Sequence, residues 1–313
     1  MVISTTDSAR ALEPTTEAAK AAHSVDVPLS SVSLPDEPLV TIQPTASWLP
    51  LNFGDLWTYR ELLYFLTWRD IKVRYKQTLL GIVWVVMQPL LMTLIFTVFL
   101  GILARVPTAG LPYPLLILTG LLPWNLFSSG VITAAYSLVG NSNLITKVYF
   151  PRMLVPAASI AARLVDFAIS LAILVGLIGY YHLVVHYDAK LSWNLAAIPF
   201  LIALTILLSF GVGMLVSALN VKHRDVGVAL PVLLQLGMFV SPVLYPTSIV
   251  PGRAQKLYAL NPLVGLIDGF RVALLGGRFN QFALAVSAGF VIGLLIISAY
   301  LFRHFEKGFA DFV

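Results

Sequence analysis

Apolar and polar positions fall into long blocks along this chain, not short alternating runs. Nearly uncharged apolar stretches occupy residues 79–104, 113–139, 157–183, 195–219, 226–245 and 282–302. Each is long enough to cross about 30 Å of hydrocarbon as a helix. Residues 56–76 differ. Leu56, Tyr59, Leu63 and Leu66 recur there at helical spacing among Arg60, Glu61, Arg69, Asp70, Lys72, Arg74 and Lys76, and Asp55 is a suitable N-cap. That segment is too charged to span. With Trp57, Tyr64, Trp68 and Tyr75 it reads as an amphipathic helix lying in the membrane surface.

The 246–281 interval is more than a connection. Asn261-Pro262 supplies a cap followed by proline at the first helical position, and Gly276-Gly277 closes the segment. The apolar run between them is too short to cross, so a re-entrant or interfacial helix pair is expected, with Asp268 and Arg271 spaced to pair on one side. The pattern predicts an all-α polytopic membrane protein with six transmembrane helices, an N-terminal amphipathic interface helix and an outer re-entrant helix pair. No internal repeat at a fixed period is visible, which argues against an inverted-repeat transporter.

Composition supports this reading. Of 313 residues, 58% are hydrophobic and 11% charged, with a mean hydropathy of +0.86. A soluble domain carries about 25% charged residues, so a water-soluble protein is excluded. Residues 1–50 are the exception: Ser, Thr, Ala and Pro dominate, and no apolar core follows a basic start. They read as a disordered cytoplasmic tail, not a signal peptide, leaving 51–313 as the membrane domain. Cysteine is absent, which removes disulfides, thiol nucleophiles and thiolate metal sites.

Charge placement sets an orientation. The net charge of +5 comes mostly from cations at helix ends, so it points to lipid headgroups and not to nucleic acid. With the first span leaving the cytoplasm, Arg60, Arg69, Lys72, Arg74, Lys76, Lys147, Arg152, Lys222, Arg224, Arg303 and Lys307 lie inside. Arg105, Lys190, Arg253, Lys256, Arg271 and Arg278 lie outside. Eleven against six favours a multi-pass protein of the cytoplasmic (inner) membrane with both termini cytoplasmic.

Candidate chemistry is sparse. No GxxxxGK[ST] loop occurs, so the chain does not hold ATP in the P-loop manner. His182 and His186 share a helical face near Asp188 but lack a convincing third ligand, so no metal site is expected. Among the spans only the third carries charge. Arg163 and Asp166 share a face with Ser159 and Ser170, a pattern suited to an interhelical pair. Polar and aromatic stripes suggest a pathway: Trp84 and Gln88 in the first span, Asn125, Ser129, Thr133 and Tyr136 in the second, Gln235 and Phe239 in the fifth. Aromatic faces with scattered hydrogen-bonding groups suit sugar rings, although such stripes also hold helices together. The 140–156 loop, GNSNLITKVYFPRMLVP, exposes Leu144, Val148, Tyr149 and Phe150 to the cytosol unless a partner covers them.

Four ordered stretches carry a family likeness: RDIKVRYKQTLLGIVWVVMQP (69–89), LITKVYFPRMLVP (144–156), NVKHRDV (220–226) and NPLVGLIDGFR (261–271). In these the chain, over roughly residues 56–313, resembles permeases of the polysaccharide-export class of ABC transporters, which move O-antigen, capsule or teichoic-acid chains, often lipid-linked. The resemblance implies two copies of this chain with two copies of a separate ATPase that carries ATP and Mg²⁺, and no cofactor or catalytic residue here. It implies a channel that the first span helps to form, for which the stripe residues Trp84, Gln88, Asn125, Ser129, Thr133, Tyr136, Gln235 and Phe239 are the candidates read from the pattern itself. It further implies an ATPase-coupling surface at Leu144, Lys147, Val148, Tyr149, Phe150 and Arg152, joined by Lys222, Arg224 and Asp225, and an interface helix meeting lipid through Tyr59, Leu63, Trp68, Arg69, Lys72 and Arg74. A drug or lipid ABC exporter shares the topology. A secondary transporter would need more ionisable groups at mid-membrane.

The charge count generates a test. Arg253→Cys and Lys190→Cys should react with an impermeant thiol reagent from outside intact cells, and His223→Cys should stay protected. The reverse labelling would reject the orientation.

Overall fold

The structure is a computed structural model that describes residues 57–76, 81–148, 150–187 and 193–306. The expected tail (1–50), the Asp55 cap, Leu56, Tyr149, Asp188, Lys190 and Lys307 lie outside the described residues. All helices among the described residues run in this order: α1 Arg60–Lys76, α2 Gly81–Phe96, α3 Tyr113–Gly140, α4 Ser142–Lys147, α5 Leu154–Ala161, α6 Arg163–Val184, α7 Ile198–Lys222, α8 Asp225–Val240, α9 Gly252–Tyr258, α10 Pro262–Leu275 and α11 Gln281–Glu306. A π-helical turn, Thr97–Leu103, extends α2, and a 3₁₀ turn, Trp193–Ala197, leads into α7.

Among the described residues, five helical stretches are long and apolar enough to cross a bilayer: Gly81–Leu103, Tyr113–Gly140, Leu154–Val184, Trp193–Lys222 and Gln281–Glu306. They coincide with five expected spans. The remaining one is shorter than its apolar run. α8 has 16 residues and stops at Val240, where Ser241 turns extended (ψ 155°). Pro242 follows, and proline disfavours helical backbone in the residue before it. Beyond it, where a re-entrant or interfacial pair is expected, come α9 and α10, bent by 107° at Ala259–Asn261 in the manner of a broken span or a re-entrant loop.

α3 is the centre. Its neighbours α7, α5, α6 and α10 bury nearly all of it, from Leu115 to Leu138. The most extensive contact is with α7, where small residues recur one turn apart on both helices: Gly130 and Ala134 on α3, Ser209 and Gly213 on α7. A Cβ added at Gly213 would lie 2.7 Å from that of Ala134. In lipid there is little hydrophobic drive between helices, so close contact of this kind supplies the dispersion energy that holds them. Gly265 and Gly269 do the same for α10. Gly265 sits on the Ala283 carbonyl and Ser287 of α11, while Gly269 admits Leu201 of α7.

The end of the bundle that carries the α9–α10 bend is fixed by polar contacts. Asn261 caps α10 at Leu263 N and donates to Ser241 Oγ at 3.1 Å. Buried Arg271 donates to the carbonyls of Tyr245 (3.0 Å) and Val243 (2.9 Å), which fit here because Gly120 of α3 has no side chain. The expected direct pairing of Arg271 with Asp268 is not what forms: Asp268 accepts from Thr247 Oγ1 at 3.2 Å, and the guanidinium goes to the turn after α8. A charge buried this deeply gains from bonds to carbonyls that would otherwise be orphaned, here made by Nη1 and Nη2 while Nε is left without a partner among the described residues.

α1 differs from the surface helix read from sequence. Its Tyr59, Leu62, Leu63 and Leu66 pack on protein, against α5 and the cluster around Leu138, Phe150 and Phe302. Tyr64, Phe65 and Trp68 are exposed on another side. Apolar groups therefore occur on two sides of α1, and the predicted stripe faces the bundle.

Gly213→Leu should destabilise the fold by about 1–3 kcal/mol, the usual cost of forcing atoms into a packed contact. Thermal unfolding in detergent checks this, and an unchanged melting temperature would remove the α3–α7 contact from its central role.

Candidate functional site

A cleft of about 190 Å³ opens between α2, α3 and α6. It is lined by Val85, Gln88 and Pro89 of α2, by Leu122, Asn125, Leu126, Ser128, Ser129 and Ile132 of α3, and by Arg163, Asp166, Phe167 and Ser170 of α6, with Arg74 of α1 at its edge. α2 touches the bundle through a narrow stripe, Val85, Pro89 and Thr93, spaced by four residues. That spacing turns Gln88 to the cleft margin and leaves Trp84 outside it with 62% of its surface exposed. On α3 the stripe Asn125, Ser129, Thr133 stays accessible along one face. Ser129 and Thr133 donate back to the carbonyls of Asn125 and Ser129, which satisfies the hydroxyls within their own helix.

The electrostatic centre of the cleft is Asp166. Arg74 reaches it at 2.9 Å and Arg163, one turn away on the same helix, at 3.3 Å, and the Tyr75 hydroxyl donates to it as well. Arg163 also donates to Thr133 Oγ1 at 3.4 Å, tying the ion cluster to the α3 stripe. Burial pushes the Tyr75 phenol up, and its hydrogen bond to Asp166 and that carboxylate's charge push it further, so it stays neutral and remains a donor. The interhelical pairing expected of Arg163 and Asp166 thus exists, but its second helix is α1. Beside it, Ser159 Oγ donates to Asp70, which holds Arg69 at 2.8 Å. Sequence reasoning assigned Arg74 and Tyr75 to the lipid interface, and the structure turns both inward. The signal was available, because Asp166 is the lone carboxylate in the spans and needs cations from a neighbouring helix. Of the other interface residues, Lys72 lies 5.4 Å over the Trp68 ring, which stacks on Tyr64 at 6.5 Å.

The rest of the proposed pathway is spread out. Tyr136 leaves the α3 stripe for α8, donating to the Gly227 carbonyl at 2.7 Å, while Asn220 joins Ala135 O and Gly227 N at 2.9 and 3.0 Å. A Cβ at Gly227 would stand 2.7 Å from Asn220 Oδ1 and 2.9 Å from the Tyr136 ring, so only glycine fits this latch. Gln235 and Phe239 lie on the outer side of α8, with Phe239 53% exposed. The structure gathers Gln88, Asn125 and Ser129, places Thr133 next to them, and leaves Trp84, Gln235 and Phe239 on open faces.

The loop end also departs from expectation at one residue. Phe150 is buried against Leu138, Met214 and Phe302, so it is sheltered by its own chain. Arg152 is likewise engaged, donating to the Glu306 carbonyl at 2.8 Å with the carboxylate at 4.0 Å. Leu144 is half-buried. Lys147, Val148, Lys222, Arg224 and Asp225 are exposed at this same end of the bundle. An apolar ring in a loop between two prolines had a second possible home, the pocket between α3, α7 and α11, which only the fold reveals.

Residues 61–275 match the family described as ABC-2 type transporter. The chain belongs to the ABC-2 type transporter family. It is 27% identical over 260 residues to an O-antigen export system permease protein, RfbA, of Klebsiella pneumoniae, covering 83% of this chain and 96% of that protein. The RfbA of Myxococcus xanthus is 28% identical over 261 residues, 82% of this chain and 97% of its own. The polysialic acid transport protein KpsM of Escherichia coli is 26% identical over 248 residues, 76% of this chain and 91% of KpsM. This ABC-2 chain is thus a multi-pass membrane permease homologous to polysaccharide-export permeases.

Asp166→Ala in this ABC-2 bundle should lower stability by about 1–3 kcal/mol, because hydrogen bonds to a charged group are lost and two guanidinium groups are left facing each other. Adding Arg163→Gln should restore part of it in thermal melts. A neutral single variant would remove the cluster's structural role.

Proposed function

We propose that this chain is the permease subunit of an ATP-driven exporter that moves polysaccharide, carried on a lipid, through a channel completed by a second copy of itself. The observation carrying this reading is an open polar stripe on α3. The α3 stripe from Asn125 to Tyr136 is flanked by α2 and α8, whose outer faces expose Trp84, Met87, Val232, Leu236 and Phe239. Only Val85, Pro89 and Thr93 of α2 and Gly227 and Leu230 of α8 are buried. Helices so weakly attached to their own bundle suit an interface with a second copy. Such a dimer would set aromatic faces opposite self-satisfied hydroxyls, giving sugar rings many weak contacts and no tight site to stall a long chain. The relatives named for O-antigen and polysialic acid support that substrate class.

The chain lies in the cytoplasmic membrane with both termini inside, by the excess of cations at the α1, α4 and α7–α8 end. ATP and Mg²⁺ reside on two copies of a separate ATPase, which seats against Lys147, Val148 and the Lys222–Asp225 turn. Leu144, Phe150 and Arg152 connect that surface to the bundle, and Tyr149 belongs to the same coupling segment by its place in the sequence.

Trp84→Ala or Phe239→Ala should cut polymer export about fivefold, the equivalent of roughly 1 kcal/mol of aromatic contact, with assembly kept. Surface display of the polymer and co-purification of the ATPase measure the two quantities. Normal export from an assembled variant complex would refute the channel. Val148→Asp should instead leave insertion intact and uncouple ATP hydrolysis from export, and unchanged coupling would reject the docking surface.

A further inference from the structure

The cleft beside Asp166 has more room than a clamp between helices requires. Fixing α1 to α6 needs one carboxylate and its donors in contact, and Asp166 already has Tyr75, Arg74 and Arg163. Yet about 190 Å³ stays open next to them, kept so by the small side chains Ser128, Ser129 and Ser170. The guanidinium groups of Arg74 and Arg163 both reach Asp166 at this end of the cleft. Away from that end Val85, Pro89, Leu122 and Leu126 give the cleft an apolar side, with Gln88 and Asn125 also lining it. Outside them, α2 offers Met87 and Leu91, about 41% exposed, as a continuing apolar surface. The volume is below the roughly 300–1,000 Å³ of pockets that enclose a whole small molecule. It suits a head group whose tail remains in the bilayer.

Depth agrees with that. Arg74 is near the end of α1, whose exposed Tyr64, Phe65 and Trp68 are the aromatic types that gather at headgroup level. A guanidinium there meets phosphate with charge-assisted, geometrically matched hydrogen bonds.

We propose that the cleft between α2, α3 and α6 binds the phosphate head of a lipid from the leaflet on the α1 side, with Arg74 and Arg163 on the phosphate and the tail against α2. Asp166 holds the two guanidinium groups in place and limits their charge, so the lipid can exchange. The site does not depend on the exported cargo being a polymer.

The test is lipid retention by the purified full-length chain, measured by native mass spectrometry after incubation with phosphatidylglycerol, a polyprenyl phosphate, diacylglycerol or inorganic phosphate. Phosphatidylglycerol or the polyprenyl phosphate should be retained and diacylglycerol should not. Which of the two binds more tightly tells a bulk phospholipid from a carrier lipid. Arg163→Gln should weaken retention about tenfold, as expected for a lost hydrogen bond between charged partners. Ser128→Leu, which fills the cleft and spares the ion cluster, should do the same in a protein with unchanged melting temperature. Wild-type retention in a folded Ser128→Leu variant, or equal retention of diacylglycerol, would overturn the proposal. Displacement of the lipid by an equal concentration of inorganic phosphate would reassign the cleft to a free oxyanion and also overturn it.

Discussion

The close contact between α3 and α7 is the constraint on which the other positions depend. Gly130 and Ala134 meeting Ser209 and Gly213 let two helix backbones approach to where a single Cβ would collide. Everything else is hung on that pair. α5, α6 and α10 pack on α3, and α11 packs on α7 and α10. Lipid tails are as apolar as leucine, so the bundle cannot rely on hiding hydrophobic surface, and shape at the small residues decides the arrangement. Polar groups then set the details: Arg271 at one end, the Asn220–Gly227–Tyr136 latch and the Asp166 cluster at the other.

The two least anchored helices flank the open polar stripe, and this division of labour is physical. α8 keeps its place through bonds at its termini, Gly227 on one side and the Ser241–Tyr245 turn on the other, with Leu230 as its buried apolar side chain. α2 holds by a stripe of three residues. Neither sacrifices its outer face to the protein core, so both remain available for lipid or a second copy. The rigid part of the molecule is therefore behind the stripe, and the adaptable part beside it.

Much of this was legible in the sequence because bilayer thickness imposes long apolar runs. Five spans sit within a few residues of the hydropathy blocks, and the cap at Asn261 does what its Asn-Pro signature indicates. Less legible were features that depend on which side a helix turns. Ser241-Pro242 ended α8 inside a continuous apolar run, a backbone effect that hydropathy does not register. Arg74, Tyr75 and Phe150 had plausible homes in lipid or on a partner, and only the packing of α1 and of the 150–153 turn brings them inward. The α3 stripe was visible as a period. That its upper members would share a cleft with Arg163 while Tyr136 leaves for α8 was not.

The length of α8 has a consequence for the barrier itself. Sixteen residues rise about 24 Å, some 6 Å less than the hydrocarbon thickness. The α9–α10 elbow makes up the shortfall, so part of the permeability barrier here is a bent, hydrogen-bonded segment and not continuous helix. That segment is held by a countable set of polar bonds, the ones made by Arg271, Asn261 and Tyr245, and not by tens of ångströms of lipid-facing side chain. Resistance to leakage at that spot is a property of those bonds.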